Sequence, residues 1–437
     1  MDTASLVGLI LLIGIFGCIA LGFPIAVSIG LPSLVAIVTL VGFDSALIAS
    51  PQRVFTAVNN FTLLAIPFFV LAGVLMNSGG IAGRLVDAAK VMVGKMPSSL
   101  AQTNVVANAM FGAVSGAAVA AAAAVGSVMT PRMVKEGYNR PFSAAVNVAS
   151  APAGMLIPPS NTLIVYSLAS STSIAALFMA GVGPGLLWTV VVMVVAFIGS
   201  RRFGGNVATA HVSFGQGLLV LWRAFPSMLM IVIVIGGILT GQFTATESSA
   251  IAVVYCLVLG FAYRTVKVAD LPKILLAAAR TTAIVMLLVG VSGLLSWVLS
   301  FARIPQLVAD GLLGLSDNQF VITLLMLVIL LVVGMFMDPV PAILIFTPIF
   351  LPLWITFGLS PIHFGTVITF AFCLGVITPP VGNVLFVGSM IAGLRVEPVI
   401  RRLLPFFFGL AVALLITAFL PALSTWLPIQ MGLMAPT

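Results

Sequence analysis

Residues 157–161 read "IPPSN" and residues 377–383 read "ITPPVGN", each inside a run apolar enough to lie in lipid. Consecutive prolines remove two N–H donors and cannot continue a helix, so each run is a helix interrupted in its middle. In hydrocarbon every freed backbone group costs several kcal/mol, so such backbone persists only where it is buried in protein or lines a polar cavity. Two interruptions of the same kind in one chain make the breaks a feature of the fold, and the rest of the sequence is read outward from them.

The chain has 437 residues, 61% hydrophobic and 6% charged, with a mean hydropathy of +1.28. A soluble domain of that composition would aggregate, and the sequence predicts an all-α polytopic membrane protein whose bilayer crossings need about 20 apolar residues each. Simple crossings are expected near 5–22, 25–43, 61–79, 184–200, 222–242, 244–263, 281–301 and 403–427. The opening "MDTASLVGLILLIGIFGCIALGF" has no basic n-region, so it reads as a first membrane helix rather than a cleaved signal, with the N-terminus at or near Met1.

Charge sets the topology. Of 18 Lys and Arg, 16 fall in five groups: Arg84, Lys90 and Lys95; Arg132, Lys135 and Arg140; Arg201, Arg202 and Arg223; Arg264, Lys267, Lys273 and Arg280; Arg395, Arg401 and Arg402. Only Arg53 and Arg303 lie elsewhere. The positive-inside rule makes these groups cytoplasmic and the turns carrying Asp44, Asp310 and Asp317 external, with both termini periplasmic. The groups are too short and dispersed to form a nucleic-acid stripe, so no nucleic-acid partner is expected. Cys18, Cys256 and Cys373 lie singly in apolar runs without pairing or ligand spacing and read as packing residues. His211, in a polar connector, and His363, beside a turn, carry no catalytic pattern.

Two longer regions do not parse as simple crossings. Segment 98–131 has Lys95 before it and Arg132 after it, so it enters and leaves on the cytoplasmic side: a re-entrant hairpin with its tip at "GAVSG", 112–116. A crossing through 142–180 follows, broken at "IPPSN". Segment 320–353 has flanks without basic residues and reads as a second hairpin, entering from outside, with its tip at "MFMDPVP", 335–341. The crossing 363–394 that follows is broken at "ITPPVGN". Spacings match as well. Ser115 to Pro158 is 43 positions and Asp338 to Pro379 is 41, while Gly137 to Pro158 and Gly358 to Pro379 are both 21. Thr130-Pro131 and Thr347-Pro348 mark the second arm of each hairpin. The halves are expected to be inverted structural repeats, the usual build of secondary transporters.

At each break the first half-helix presents carbonyl oxygens and the second presents N–H groups, which suit cations and anionic groups respectively. Ser160 and Asn161 at one break, and Thr378 and Asn383 at the other, add side-chain oxygens, and Na⁺ is the natural occupant of such nests. Asp338 is the one acid placed at membrane depth, opposite the second break, and an intramembrane carboxylate is a functional candidate; the competing reading is a helix cap. Glu247, in "GQFTATESSA", reads as a cap at an outer turn. The first tip has no acid, only Ser115, Ser127 and backbone, and its arm "AAVAAAAAV", 117–125, reads as a close-packing surface.

The stretches "IPFFVLAGVLMNSGGIAGRLVDAA", "SGAAVAAAAAVGSVMTPRMVKEGYNRPFSAAVNVASAPAGMLIPPS", "GQFTATESSAIAVVY", "GMFMDPVPAILIFTPIFLPL", "HFG" and "GVITPPVGNVLFV" together resemble the large membrane (M) subunit of tripartite ATP-independent periplasmic (TRAP) transporters, DctM-like members of the ion transporter superfamily. The resemblance covers nearly the whole chain. It implies an elevator-type, Na⁺-driven transporter without other cofactor, working in the bacterial inner membrane with a small four-helix (Q-type) subunit and an extracytoplasmic (P-type) solute-binding protein to import a small organic acid. By position it implies one ion region at Ser115, Gly116, Pro158, Pro159 and Ser160, joined by Asn161, and a second at Asp338, Thr378, Pro379, Pro380, Gly382 and Asn383. Against the family's usual "SGSAVAD" the chain has Ala117 and Ala121, and against "PPSI" it has Asn161.

With no Arg at membrane depth in the broken crossings, anion binding would fall to half-helix N-termini with Ser160, Asn161, Thr162 and Asn383. The expected organisation is scaffold helices and arm over 1–97, hairpin and broken helix over 98–181, scaffold and arm of the second repeat over 182–318, hairpin and broken helix over 319–395, and a C-terminal scaffold helix over 396–437. An ATP-driven pump lacks its phosphate loop here, and an enzyme lacks a nucleophile with a base. A channel, or a carrier working without a binding protein, is the competing class.

Overall fold

In the computed structural model the described residues are 3–78, 81–204, 214–316, 318–379 and 382–435, and among them all regular structure is helical. His211, Asp317 and Pro380 lie outside the described residues. The first repeat contains α1 (Thr3–Ala20), α2 (Ile25–Val41), α3 (Phe43–Val58), α4 (Ala65–Ser78), α5 (Ile81–Val93), α6 (Ser99–Ser115), α7 (Ala118–Lys135), α8 (Arg140–Ser150), α9 (Asn161–Ser170) and α10 (Ile174–Phe203). The second contains α11 (Phe214–Leu239), α12 (Ala245–Ala262), α13 (Leu271–Phe301), α14 (Ile304–Leu313), α15 (Gln319–Gly334), α16 (Pro339–Thr356), α17 (Pro361–Gly375), α18 (Asn383–Ile391) and α19 (Val396–Phe419), followed by α20 (Ala422–Gln430). Among the described residues six helices are long and apolar enough to cross a membrane.

The repeat extends over the whole chain. The helix-starting caps Asn139 and Ser360, the half-helix starts Asn161 and Asn383, the left-handed helix ends Ser171 and Gly393, and the starts of α10 and α19 are each 221 or 222 positions apart. Packing repeats with an exchange of partners. Helix α4 lies on α12 while α2 lies on α13, and α9 lies on α16 of the other repeat while α18 lies on α7. The second half of each broken helix therefore belongs spatially to the opposite hairpin.

Several boundaries differ from the sequence reading because apolar runs hide turns that polar caps define. The first broken crossing ends at Ser170 rather than near 180: Ser171 is left-handed at φ 56° and Ser173 caps the next helix. The expected span 184–200 is the middle of the 30-residue α10. The span expected from 281 begins at Leu271, and the span 403–427 divides into α19 and α20 at Leu420. Asp44 and Asp310 sit on the short helices α3 and α14 rather than in turns. Glu247 is a cap as expected: it accepts from the Thr244 backbone N–H at 2.7 Å while Thr244 accepts from the Glu247 N–H. Cys256 and Cys373 are buried, Cys18 is half-buried, and all three are free thiols.

The core is densest where the broken helices meet α10 and α19. Trp188 of α10 is fully buried, donates its indole N–H to the Ala149 carbonyl of α8 at 2.9 Å, and lies 4.9 Å from the Phe370 ring of α17. His363 of α17 is buried against α19, its Nε2 2.8 Å from the Thr417 carbonyl, a packing role consistent with the bland reading of this residue. Helices α10 and α19 pack on each other and both on α8 and α17, and α10 also packs on α6.

Candidate functional site

Each hairpin tip sits against the break of its own repeat. At tip 1, α6 ends at Ser115 and Gly116 turns left-handed at φ 62°, a conformation in which a side chain would be strained. A Cβ there would lie 2.7 Å from Asn161 Nδ2, so the Asn161 amide occupies the space above the tip glycine. At tip 2, Asp338 starts α16, and the Asn383 amide lies beside it. Asn161 and Asn383 open the second halves of the two broken helices, so equivalent asparagines face Gly116 on one side and Asp338 on the other.

Asp338 occupies a cap position but makes no side-chain cap hydrogen bond. The reason is local: Pro339 and Pro341 carry no N–H, so two of the first three helical residues offer the carboxylate nothing. The side chain is exposed at the tip. Asp338 therefore starts α16 without capping it through its side chain.

The breaks leave backbone oxygen available. Among the described residues the carbonyls of Leu156, Ile157, Pro158 and Pro159 accept no hydrogen bond, nor do those of Ile377, Thr378 and Pro379. Some side chains are already committed. Ser160 Oγ caps α9 by accepting from the Leu163 N–H at 3.3 Å and also donates to the Met155 carbonyl. Thr162 Oγ1 lies 2.8 Å from Ser160 Oγ and donates to the same Met155 carbonyl at 2.9 Å. Thr378 Oγ1 donates back to Leu374 at 2.6 Å, and Ser115 Oγ reaches the Ala117 carbonyl at 3.5 Å. Asn161 and Asn383 are the partly exposed polar side chains at the two breaks. Gly382 donates its N–H to the Met335 carbonyl at 3.3 Å, tying break 2 to tip 2.

Two features of the site were not drawn from the sequence. Gly154 packs on Gly112 so closely that a Cβ on Gly154 would sit 2.1 Å from the Gly112 Cα, and one on Gly375 would sit 2.6 Å from the Gly334 Cα. These glycine pairs bring each hairpin arm onto the first half of its broken helix, and the signal was present: Gly154 and Gly375 both stand four residues before the first break proline. The other is a buried polar cluster. Asn108 Nδ2 of α6 lies 2.7 Å from Asn104 Oδ1, 3.0 Å from Asn147 Oδ1 and 2.8 Å from Ser150 Oγ, while Asn147 donates to the Ala122 carbonyl of α7 at 2.9 Å. This joins three helices beneath the Ala-rich arm, whose Ala118, Ala121 and Ala122 are buried as a packing surface.

Paired hairpins meeting paired helix breaks define a class: polytopic membrane proteins whose unwound backbone lines an internal site. Within it, residues 12–423 match the family described as "Tripartite ATP-independent periplasmic transporter, DctM component", and the chain belongs to that family. It is 49% identical over 430 residues to the uncharacterized protein YgiK of Salmonella typhimurium, covering 98% of this chain and 99% of that one. It is 39% identical over 382 residues to the C4-dicarboxylate TRAP transporter large permease protein DctM of Pseudomonas aeruginosa, covering 87% and 89% of the two chains. In fold it is similar to the YdaH transporter of Alcanivorax borkumensis, with a TM-score of 0.61 at 13% identity over 90% of this chain and 89% of that one.

Proposed function

We propose that the protein is the permease subunit of a Na⁺-coupled secondary transporter that imports a small organic acid across the bacterial inner membrane by an elevator movement. A soluble binding protein outside the cytoplasm delivers the acid, and a small four-helix membrane subunit completes the assembly; both termini face the periplasm. The tripartite description of the family and the C4-dicarboxylate relative support the partners and the substrate class. The observation that carries the ion reading is the meeting of each hairpin tip with break carbonyls that accept no hydrogen bond among the described residues: those of Ile377, Thr378 and Pro379 near Asp338 and Asn383 in one repeat, and those of Ile157 to Pro159 near Gly116 and Asn161 in the other.

Oxygen ligands suit a hard cation, and the carboxylate of Asp338 supplies the one full negative charge at the second region. Neutral oxygens alone serve the first, where Gly116 stands in place of the acid and Ala117 and Ala121 add none. Ser160 and Thr162 shape the first break through Met155, leaving Asn161 and Asn383, with the half-helix N-termini behind them, as the groups that meet an anionic substrate.

Uptake into vesicles containing the permease and its two partners tests this. The expected result is saturable uptake that follows an imposed Na⁺ gradient, with Asp338→Asn raising the Na⁺ concentration for half-maximal uptake at least about tenfold, the effect of roughly 1.4 kcal/mol, while leaving the amount of folded protein near wild type. Uptake that ignores the gradient and does not saturate would establish a channel instead. Equal loss of Na⁺ dependence and folded protein in Asp338→Asn would make the carboxylate structural.

A further inference from the structure

We propose that an apolar cavity between the first helix and the second hairpin is a phospholipid site, with an acyl chain inside it and the phosphate held at its rim by Arg303. The cavity measures about 520 Å³ and is walled by Gly8 and Leu12 of α1, Leu299 of α13, Ile304 of α14, and Met337 and Ile345 of the hairpin. Its volume is that of a small-molecule site. Of the residues lining it only Ser5 has a polar side chain. Water needs several polar partners to settle in a cavity, so this one offers it almost nothing.

The occupant is set by the medium at the mouth. Leu9, Leu12, Phe16 and Leu307 line the cavity and are 43%, 60%, 40% and 41% exposed. On helices that lie in the bilayer, such side chains face hydrocarbon, and each methylene of a chain that enters gains burial against protein. Arg303 adds the polar end. It starts α14 directly before the lining residue Ile304, is exposed, and forms no ion pair among the described residues. It is also one of the two basic residues outside the cytoplasmic groups. A guanidinium one residue from the wall of an apolar slot suits the phosphate of a lipid whose chain lies in it, which it can grip through two parallel hydrogen bonds.

The repeat gives an internal comparison. Gly73 of α4 and Ser115 of tip 1 stand 222 positions before Leu295 and Met337. In the first repeat a Cβ on Gly73 would lie 3.2 Å from the Ser115 carbonyl, so that helix rides directly on its hairpin tip. In the second repeat Leu295 and Met337 both line the cavity. The same joint is closed on one side and holds a space the size of an acyl chain on the other, next to the residue preceding Asp338.

The test uses the protein reconstituted with a phosphatidylethanolamine carrying a photoreactive group in its acyl chain, without Na⁺ or organic acid, so its outcome is separate from the transport reading. Crosslinks are expected to concentrate on α1 and α16. Leu12→Trp and Ile345→Phe, which fill the slot from opposite walls, should each lower capture about tenfold, the worth of roughly two buried methylenes. Val194→Trp, on the exposed face of α10, should leave it unchanged. Arg303→Gln should reduce capture of the phospholipid but not of a diacylglycerol with the same chains. Crosslinks spread evenly over α10 and α1, capture insensitive to both filling variants, or capture abolished when the small membrane subunit is present would each overturn the proposal; the last would mean that the partner covers the cavity.

Discussion

Asparagine at the first position of a half-helix does different work in the two repeats because of what faces it. Asn383 meets a carboxylate and Asn161 meets a glycine. Asn383→Ala removes the amide beside the Asp338 carboxylate and should weaken Na⁺ dependence of uptake more than Asn161→Ala does; the comparison is a titration of initial uptake rate against Na⁺ for each variant. Gly375→Ala is a packing test. Its new Cβ would lie 2.5 Å from the Gly334 carbonyl carbon, and that atom is backbone that cannot swing aside. Overpacking of this kind costs about 1–3 kcal/mol, so the detergent-solubilised variant should unfold at a lower temperature than the wild type. A melting curve that overlays the wild type would show that the arm and the broken helix are not in tight contact.

At the scale of elements, the first hairpin is held to its broken helix by Asn108 rather than by charge. Replacing Asn108 with Leu leaves Asn147 Oδ1 and Asn104 Oδ1 without the amide they share, and an unsatisfied buried acceptor costs about 1–3 kcal/mol. Asn108→Leu should therefore lower thermal stability and increase protease cleavage in the α7–α8 turn, whereas Ser127→Ala, exposed on the other arm of the same hairpin, should change neither. The Arg132–Asp87 pair at 3.6 Å links α7 to α5, but both side chains are about half exposed, and such pairs contribute little.

At the scale of the molecule, the exchange of partners between repeats requires that corresponding ends lie on opposite sides of the membrane. Single cysteines read this directly in a background lacking Cys18, Cys256 and Cys373. Asp310→Cys should react with a membrane-impermeant maleimide added to intact cells, and Lys135→Cys should react only after the membrane is opened. Reaction of both from outside would break the inverted arrangement. Helices α10 and α19 both pack against α8 and α17, and α10 also against α6.

Composition and the positions of Pro, Gly and Lys/Arg were enough to read the membrane class, both hairpins, both breaks and the repeat, since these follow from local rules: proline cannot donate, lipid cannot satisfy backbone, and basic residues stay inside. The tip "GAVSG" and the start of α16 at "DP" were legible for the same reason. Helix ends such as Ser170 and Leu420 were not, because an apolar run looks the same whether it is one helix or two. Nor could the sequence decide whether the Asp338 side chain caps its helix. That needed Pro339 and Pro341 placed at the helix start, where the Asp338 side chain makes no cap hydrogen bond. Which small residues touch, which hydroxyls are consumed by Met155, and which joint of the repeat stays open depend on contacts between segments far apart in the chain, and only the tertiary structure decides these.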